Sequence, residues 1–286
     1  MHISQPHMSR RSIAIAAALF GTVLLAIGAH AALSVRALGA AKAVTTEQAR
    51  ATATKASRIA LVIGNCHYPD ANEPPAQPIN DARAMTQALR QNGFDVDVVE
   101  DATKDDMTRA VARLKSKIGR DSVVMLFFGG YGVQAGRESY MIPVDATIWK
   151  EGDVRRDGLS VESVLYVIKE QGARTKLVVI DASRRNPYER RFRAFSHGLA
   201  PIDAPDNTLI ISSATPGKLA EDSKSTNSVL VSELLSHLNS KEAGAEAIFN
   251  AARLAISRAS DGEQVPSVSS SLMEDVRLAA TENAGS

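Results

Sequence analysis

Short apolar runs recur along the chain at Ile59-Ala-Leu-Val-Ile63, Ser122 to Phe128, Lys176 to Ile180 and Thr208 to Ile211. Runs of this length and continuity mark strands buried on both faces, as in a parallel sheet. Phe94-Asp-Val-Asp-Val-Val99 alternates instead, which predicts a strand with one wetter face. Between the strands the apolar spacing changes to that of helices. Ala84, Met85, Ala88 and Leu89 form one stripe, with Asn80 placed to cap it and Gly93 to close it. Met107, Val111, Leu114 and Ile118 form a second stripe behind Thr103, and Val164, Leu165 and Ile168 a third between Ser160 and Gly172. Residues 228–239 and 242–260 read as two further helices, and residues 264–272 add a last strand. Tyr140-Met-Ile-Pro-Val144 is short and contains a proline, which suits a small hairpin at a sheet edge. Strand and helix alternate throughout. That order predicts one α/β domain with a mostly parallel sheet, whose ligands bind at the carboxyl ends of the strands.

Two of those strand ends carry candidate chemistry. Leu177-Val-Val-Ile-Asp181-Ala-Ser183 passes from apolar residues to an acid and a hydroxyl, and then to Arg184, Arg185 and Pro187. The run ending at Phe128 continues as Gly129-Gly-Tyr131-Gly132. Tyr131 and Ser183 are thus the hydroxyls delivered to the expected site. Alone, a serine after a strand is a turn or cap residue, and a tyrosine there is a packed aromatic with a wet hydroxyl.

The N-terminus stands apart from this pattern. Arg10 and Arg11 precede an uncharged, mostly apolar stretch from Ile13 to Ile27, and Ala29-His30-Ala31 offers a small-residue cleavage site. Residues 1–31 are expected to be an export signal, or an uncleaved membrane anchor if the apolar stretch runs on through Leu33. The bulk of the chain is then periplasmic, or held at the inner membrane facing the periplasm. Residues 32–57 are rich in Ala, Thr and Lys and read as a linker, residues 58–275 as the folded domain and 276–286 as a tail.

Composition removes several functions. Charges nearly cancel, at a net +1 over 286 residues, so no concentrated positive surface points to nucleic acid. Cys66 is the single cysteine, which excludes intramolecular disulfides and cysteine-based zinc sites, and the six histidines show no metal-ligand spacing. No metal or cofactor is expected. Gly130-Tyr-Gly132-Val-Gln-Ala-Gly136 departs from a dinucleotide fingerprint: its third glycine comes one residue late and an extended segment follows in place of a helix. Ser183 lacks a Gly-x-Ser-x-Gly elbow. Cys66 and His67 lie past the first strand, and as neighbours in an extended segment they point to opposite sides.

Ordered blocks over more than two hundred residues carry a resemblance. They are Ile59-Ala-Leu-Val-Ile-Gly-Asn65 with Tyr68, Asn80-Asp-Ala-Arg83, Gly93-Phe94, Phe128-Gly-Gly-Tyr-Gly-Val-Gln134, Tyr140-Met-Ile-Pro-Val-Asp145, Asp181-Ala-Ser-Arg-Arg-Asn-Pro187, Gly198-Leu-Ala-Pro201, Asn227-Ser228, Gln264-Val-Pro266 and Ser270-Ser-Leu272. In this order they resemble the bacterial caspase-like peptidases, the orthocaspases of the caspase and metacaspase superfamily (peptidase family C14). The resemblance implies a three-layer sandwich with a mostly parallel six-stranded sheet and helices on both faces, divided into a large-subunit-like part (58–190) and a small-subunit-like part (207–275).

The resemblance also implies site residues. The family's catalytic histidine falls at Tyr131 and its catalytic cysteine at Ser183. The oxyanion hole falls to the backbone N–H groups of Gly132 and Ser183. Asp181 matches an acid that lines a pocket for a basic side chain, although it also suits a helix cap or a partner for Arg184 or Arg185. Many family members carry an acid at the place of Arg185, so the pocket's charge is altered here. Arg190, Arg191 and Arg193 extend a basic loop over residues 184–207. In such peptidases a thiolate attacks the peptide carbonyl and an imidazole moves the proton. A phenol ordinarily titrates near 10, and a serine hydroxyl depends wholly on a good base. Losing the pair costs about 10⁴ to 10⁶ in turnover, whereas binding contacts survive it. The expectation is an exported caspase-fold pseudopeptidase that binds a peptide or protein partner, with a membrane contact only through an uncleaved N-terminus. The alternative is a weak hydrolase with Ser183 as nucleophile, Tyr131 as base and specificity for basic residues.

Overall fold

The computed structural model describes residues 57–69, 75–182, 199–220 and 225–279. The chain divides into two units, Met1–Lys55 and Ala56–Ser286, and every described residue belongs to the second. The expected signal or anchor and nearly all of the linker lie outside the described residues. So do Ser183, the five arginines of the basic loop, His197, and the tail beyond residue 279.

The central sheet has six strands: β1 (Arg58–Gly64), β2 (Asp95–Glu100), β3 (Val123–Gly129), β7 (Thr175–Asp181), β8 (Thr208–Ser212) and β9 (Ser267–Ser270). Their order is β2-β1-β3-β7-β8-β9. The first five run parallel and β9 is antiparallel to β8. Because β1, β3 and β7 have neighbours on both edges and helices on both faces, nearly every side chain in them is buried. That is why they read as unbroken apolar runs. β2 lies at an edge, and its acids reach cations on neighbouring helices, as in the pairs Arg83–Glu100, Arg113–Asp97 and Lys117–Asp95. Charged, paired side chains of this kind protect an exposed strand from unwanted pairing.

Among the described residues, five helices form the outer layers. One face of the sheet is covered by α1 (Pro78–Gln91), α5 (Val229–Leu238) and α6 (Ala245–Ala259), through Met85, Leu89, Leu234, Phe249 and Ile256. The other face is covered by α2 (Lys104–Lys117) and α4 (Val161–Glu170), through Met107, Leu114, Val164, Leu165 and Ile168. This is the three-layer sandwich implied by the resemblance. Thr103 caps α2 with a reciprocal capping box to Asp106, and Ser160 and Ser228 cap α4 and α5 by accepting from Ser163 and Val231. Gly93 and Gly172 take the left-handed conformation just past the ends of α1 and α4.

Three local expectations are corrected, and one helix is added. Asn80 does not cap α1: the helix begins two residues earlier, at Pro78, whose missing N–H costs nothing in a first turn. The hairpin is β4 (Gly132–Ala135) with β5 (Glu138–Met141), and with β6 (Leu159–Ser160) it forms a separate three-stranded sheet. A seven-residue helix, α3 (Glu151–Asp157), has no counterpart in the sequence reading; Val154 is its single buried apolar residue, too few for a stripe. Residues 276–279 are not the start of a tail. Leu278 is fully buried, and the Arg58 guanidinium donates to the carbonyls of Arg277 and Leu278.

Candidate functional site

The parallel register sets three strand ends side by side. Gly64 of β1 lies opposite Gly129 of β3, and Gly129 opposite Asp181 of β7. The two glycines make room for a helix. A Cβ on Gly64 would sit 2.4 Å from the Pro78 carbonyl oxygen, and one on Gly129 would sit 3.2 Å from the Pro78 Cβ. The first turn of α1 therefore rests directly on the carboxyl edge of the sheet. That placement brings Asp81, one turn into the helix, over Asp181.

Both acids are buried, Asp81 completely. Asp81 Oδ1 accepts hydrogen bonds from the Asn227 carboxamide (2.8 Å) and the Ser228 backbone N–H (3.0 Å), at the N-terminus of α5. Its other oxygen, Oδ2, is buried and accepts none. Burial and then the neighbouring Asp181 push the Asp81 carboxyl up to about 6, against a weaker downward pull from the Asn227 and Ser228 donors. The rise follows from burial first and from the second acid after it.

Tyr131 lies beyond β3 and is buried. Its ring packs on Tyr68, with centroids 4.7 Å apart and planes tilted by 57°, inside a third apolar cluster with Val133, Tyr140 and Ile142. The Tyr68 hydroxyl accepts from the Tyr131 backbone N–H at 3.0 Å and donates to the Ile142 carbonyl at 3.0 Å. Gly130 is required by this packing, since a Cβ there would lie 2.6 Å from that hydroxyl. Tyr131 is thus joined by ring and backbone to the wall of the small sheet.

The Gly132 N–H, assigned by resemblance to an oxyanion hole, donates to the Ala182 carbonyl at 3.1 Å. The space beside it is filled as well, because a Cβ on Gly132 would lie 2.5 Å from Leu199 Cδ2 and 2.9 Å from the Ala182 oxygen. In this structure that donor is internally satisfied.

The structure therefore brings Tyr131, Gly132 and Asp181 to one edge of the sheet, where Ser183 follows in the chain. It places Cys66 and His67 differently. Cys66 is buried, while the His67 side chain is 80% exposed and its Nδ1 meets Asp101 Oδ2 at 2.5 Å. Asp101 follows β2 in a left-handed backbone conformation (φ 48°) and also accepts the N–H groups of Cys66 and His67. His67 is thereby turned toward the β2 edge, away from β7. Sequence reasoning included Asp81 and Asn227 in its motif blocks but gave neither a role. The available signal was the pair of glycines ending two apolar runs, which marks a close approach by another backbone.

Comparison with known proteins gives a consistent family. The family model described as "Caspase domain" matches residues 57–277. The human mucosa-associated lymphoid tissue lymphoma translocation protein 1 is 29% identical over 150 residues, which is 52% of this chain and 17% of that protein. Its mouse homologue is 29% identical over 134 residues, 46% of this chain and 16% of that protein. The chain thus spans under a fifth of the length of either relative. Among solved structures, protein GSU0716 of Geobacter sulfurreducens superposes with a TM-score of 0.58 at 16% identity, over 79% of this chain and 100% of that one. That likeness concerns the fold.

Proposed function

We propose that this chain, which belongs to the caspase-domain family, binds a peptide or protein partner at the carboxyl edge of its sheet and does not cleave it efficiently. The observation that carries the reading is the setting of Tyr131. Where the resemblance places a proton-transferring imidazole, the chain has a phenol ring packed on Tyr68 in an apolar cluster. A base must exchange protons near the working pH, and a ring serving as a packing element is unsuited to it. The bond from Gly132 N–H to the Ala182 carbonyl supports the same reading, because oxyanion stabilisation needs that donor free.

What remains is recognition. Asp81 and Asp181 form a buried acidic pair, and a lysine or arginine side chain of the partner is the complementary group. Caspase-domain membership makes a protein substrate or partner the natural class of ligand. Export is part of the proposal and rests on Arg10, Arg11 and the apolar stretch from Ile13 to Ile27. N-terminal sequencing of the protein recovered from cells distinguishes a cleaved signal from an anchor.

The test uses the purified full chain and its Ser183→Ala variant with peptide substrates ending in arginine or lysine. The expected result is binding by both proteins without turnover by either. Turnover that disappears in Ser183→Ala overturns the proposal in favour of a serine hydrolase. A fluorophosphonate probe gives an independent reading, with no labelling of Ser183 expected even in alkaline buffer.

A further inference from the structure

Helix α1 and the edge strand β2 enclose a groove of about 410 Å³ that shares no lining residue with the Tyr131–Asp181 edge. α1 lines it with Arg83, Thr86, Gln87 and Arg90, and β2 with Val98 and Glu100. The charges in it are unequally used. Arg83 is tied to Glu100 by two hydrogen bonds, of 2.8 and 2.7 Å, so that pair is neutral. Arg90 meets no carboxylate among the described residues, and its Nη2 makes only a long bond, 3.4 Å, to the Val96 carbonyl. One positive charge is therefore uncompensated, beside Val96 and away from the Glu100 end.

Two further observations mark the groove as built to receive hydrogen-bonding groups. Thr86 is 6% exposed and its hydroxyl has no partner. A threonine inside a helix commonly bonds back to the carbonyl four residues earlier, and this one does not. Two rotamers are open to a helical threonine, so rotation about χ1 can turn the hydroxyl to the groove. The strand also offers its backbone. Asp101 N–H donates to the Gly64 carbonyl of β1, so by alternation Asp97 and Val99 face β1 as well. Val96, Val98 and Glu100 turn their N–H and C=O groups outward, in agreement with the bond from Arg90 to the Val96 carbonyl. The pairs Arg113–Asp97 and Lys117–Asp95 reach β2 from α2, on the other face of the sheet.

We propose that this groove binds the carboxyl end of a peptide chain, with the terminal carboxylate on the Arg90 guanidinium and the last peptide groups added to the β2 edge at Val98. Because Arg90 lies beside the start of β2, the peptide runs antiparallel to the strand. Arg83 and Arg90 are seven residues apart on α1, about 10 Å along its axis, which is the reach of about three extended residues. A guanidinium presents parallel N–H groups that match a carboxylate. With one charge uncompensated, a monoanion complements the groove better than a phosphate dianion. The Thr86 hydroxyl gains in a peptide carbonyl the partner it lacks within the protein. The inference is independent of the reading given to Asp81 and Asp181.

The test titrates the ¹⁵N-labelled full chain with N-acetyl-alanyl-alanine, with the same dipeptide as its carboxamide, and with inorganic phosphate, following amide resonances by NMR. The acid should shift the amides of Thr86, Gln87 and Val98 saturably and bind at least about tenfold more tightly than the carboxamide or phosphate. Arg90→Gln should weaken the acid about tenfold, and Arg90→Lys, which keeps the charge without the fork, should weaken it less. Thr86→Val removes a hydroxyl that bonds nothing in the protein, so it should weaken the acid about threefold without lowering the thermal midpoint. Equal binding of acid and carboxamide, or binding unchanged in Arg90→Gln, overturns the carboxylate site. Phosphate binding more tightly than the acid overturns the peptide as ligand, and unchanged binding in Thr86→Val overturns the part given to that hydroxyl. Shifts confined to residues outside the groove, or no saturable shift with any probe, overturn the inference as a whole and leave the reading of the Tyr131 edge untouched.

Discussion

Replacing Asp81 by asparagine should make the protein more stable at neutral pH and hardly more stable in acid. An asparagine keeps an oxygen in place to accept from Asn227 and Ser228, and removes the charge that faces Asp181. The Asp81 carboxyl rises from its ordinary 3.8 to about 6 in the folded protein. A raised acid binds its proton more tightly in the folded state than in the unfolded one, so its ionisation works against folding. The penalty is near zero below the ordinary value, grows as the pH rises from about 4 to about 6, and is complete above that. The gap corresponds to about 3 kcal/mol. Asp81→Asn should recover about 2–3 kcal/mol at pH 7.5 and less than about 1 kcal/mol at pH 4. The assay is urea denaturation of the wild type and variant at both pH values, followed by circular dichroism. At pH 7.5 the midpoint should rise by about 1 M. The same variant should lose binding of arginine-ending peptides, the exchange of stability for function found at strained sites. A variant no more stable than the wild type at pH 7.5, or one equally stabilised at both pH values, would refute the reasoning.

Restoring the family side chains with Tyr131→His and Ser183→Cys should give no turnover of arginine-ending fluorogenic peptides above the background of Ser183→Ala, because Gly132 N–H is bonded to Ala182 and Leu199 fills the adjoining space. Robust turnover by the double variant would show that this bond yields to substrate. Tyr68→Phe removes the hydroxyl between Tyr131 N–H and the Ile142 carbonyl, leaving a buried donor unsatisfied, and should cost about 1–3 kcal/mol in urea unfolding. Gly132→Ala forces a methyl against Leu199 and Ala182 and should destabilise by about 1–3 kcal/mol in the same assay; a neutral effect would mean that Leu199 moves aside freely.

Much of the architecture was legible because it follows from local rules. A strand buried on both faces must be apolar throughout, which is why β1, β3, β7 and β8 could be read directly, and edge exposure gave β2 its alternation. Thr103, Ser160 and Ser228 act within three residues of themselves, so their capping roles were visible without a fold. That Tyr131 and Ser183 stand where the resemblance places the family's dyad was equally legible, since ordered motif blocks locate both positions. Elements with little local signature escaped. The helix α3 buries one apolar side chain, and Leu278 sits in a polar segment whose docking depends on Arg58, far away in sequence.

The sequence by itself thus determined the succession of elements and the layering they force, both of which depend on neighbours along the chain. Only the tertiary structure decided what became of the site. Asp81 in a first helical turn reads as an ordinary dipole-favoured acid until Gly64 and Gly129 let α1 settle on the sheet and bring it to Asp181, one hundred residues on. The stacking of Tyr131 on Tyr68 and the closure of Gly132 by Ala182 likewise join residues fifty or more positions apart. Such contacts are fixed by strand register and helix placement, and these come from the packing of the whole domain, which no local pattern encodes.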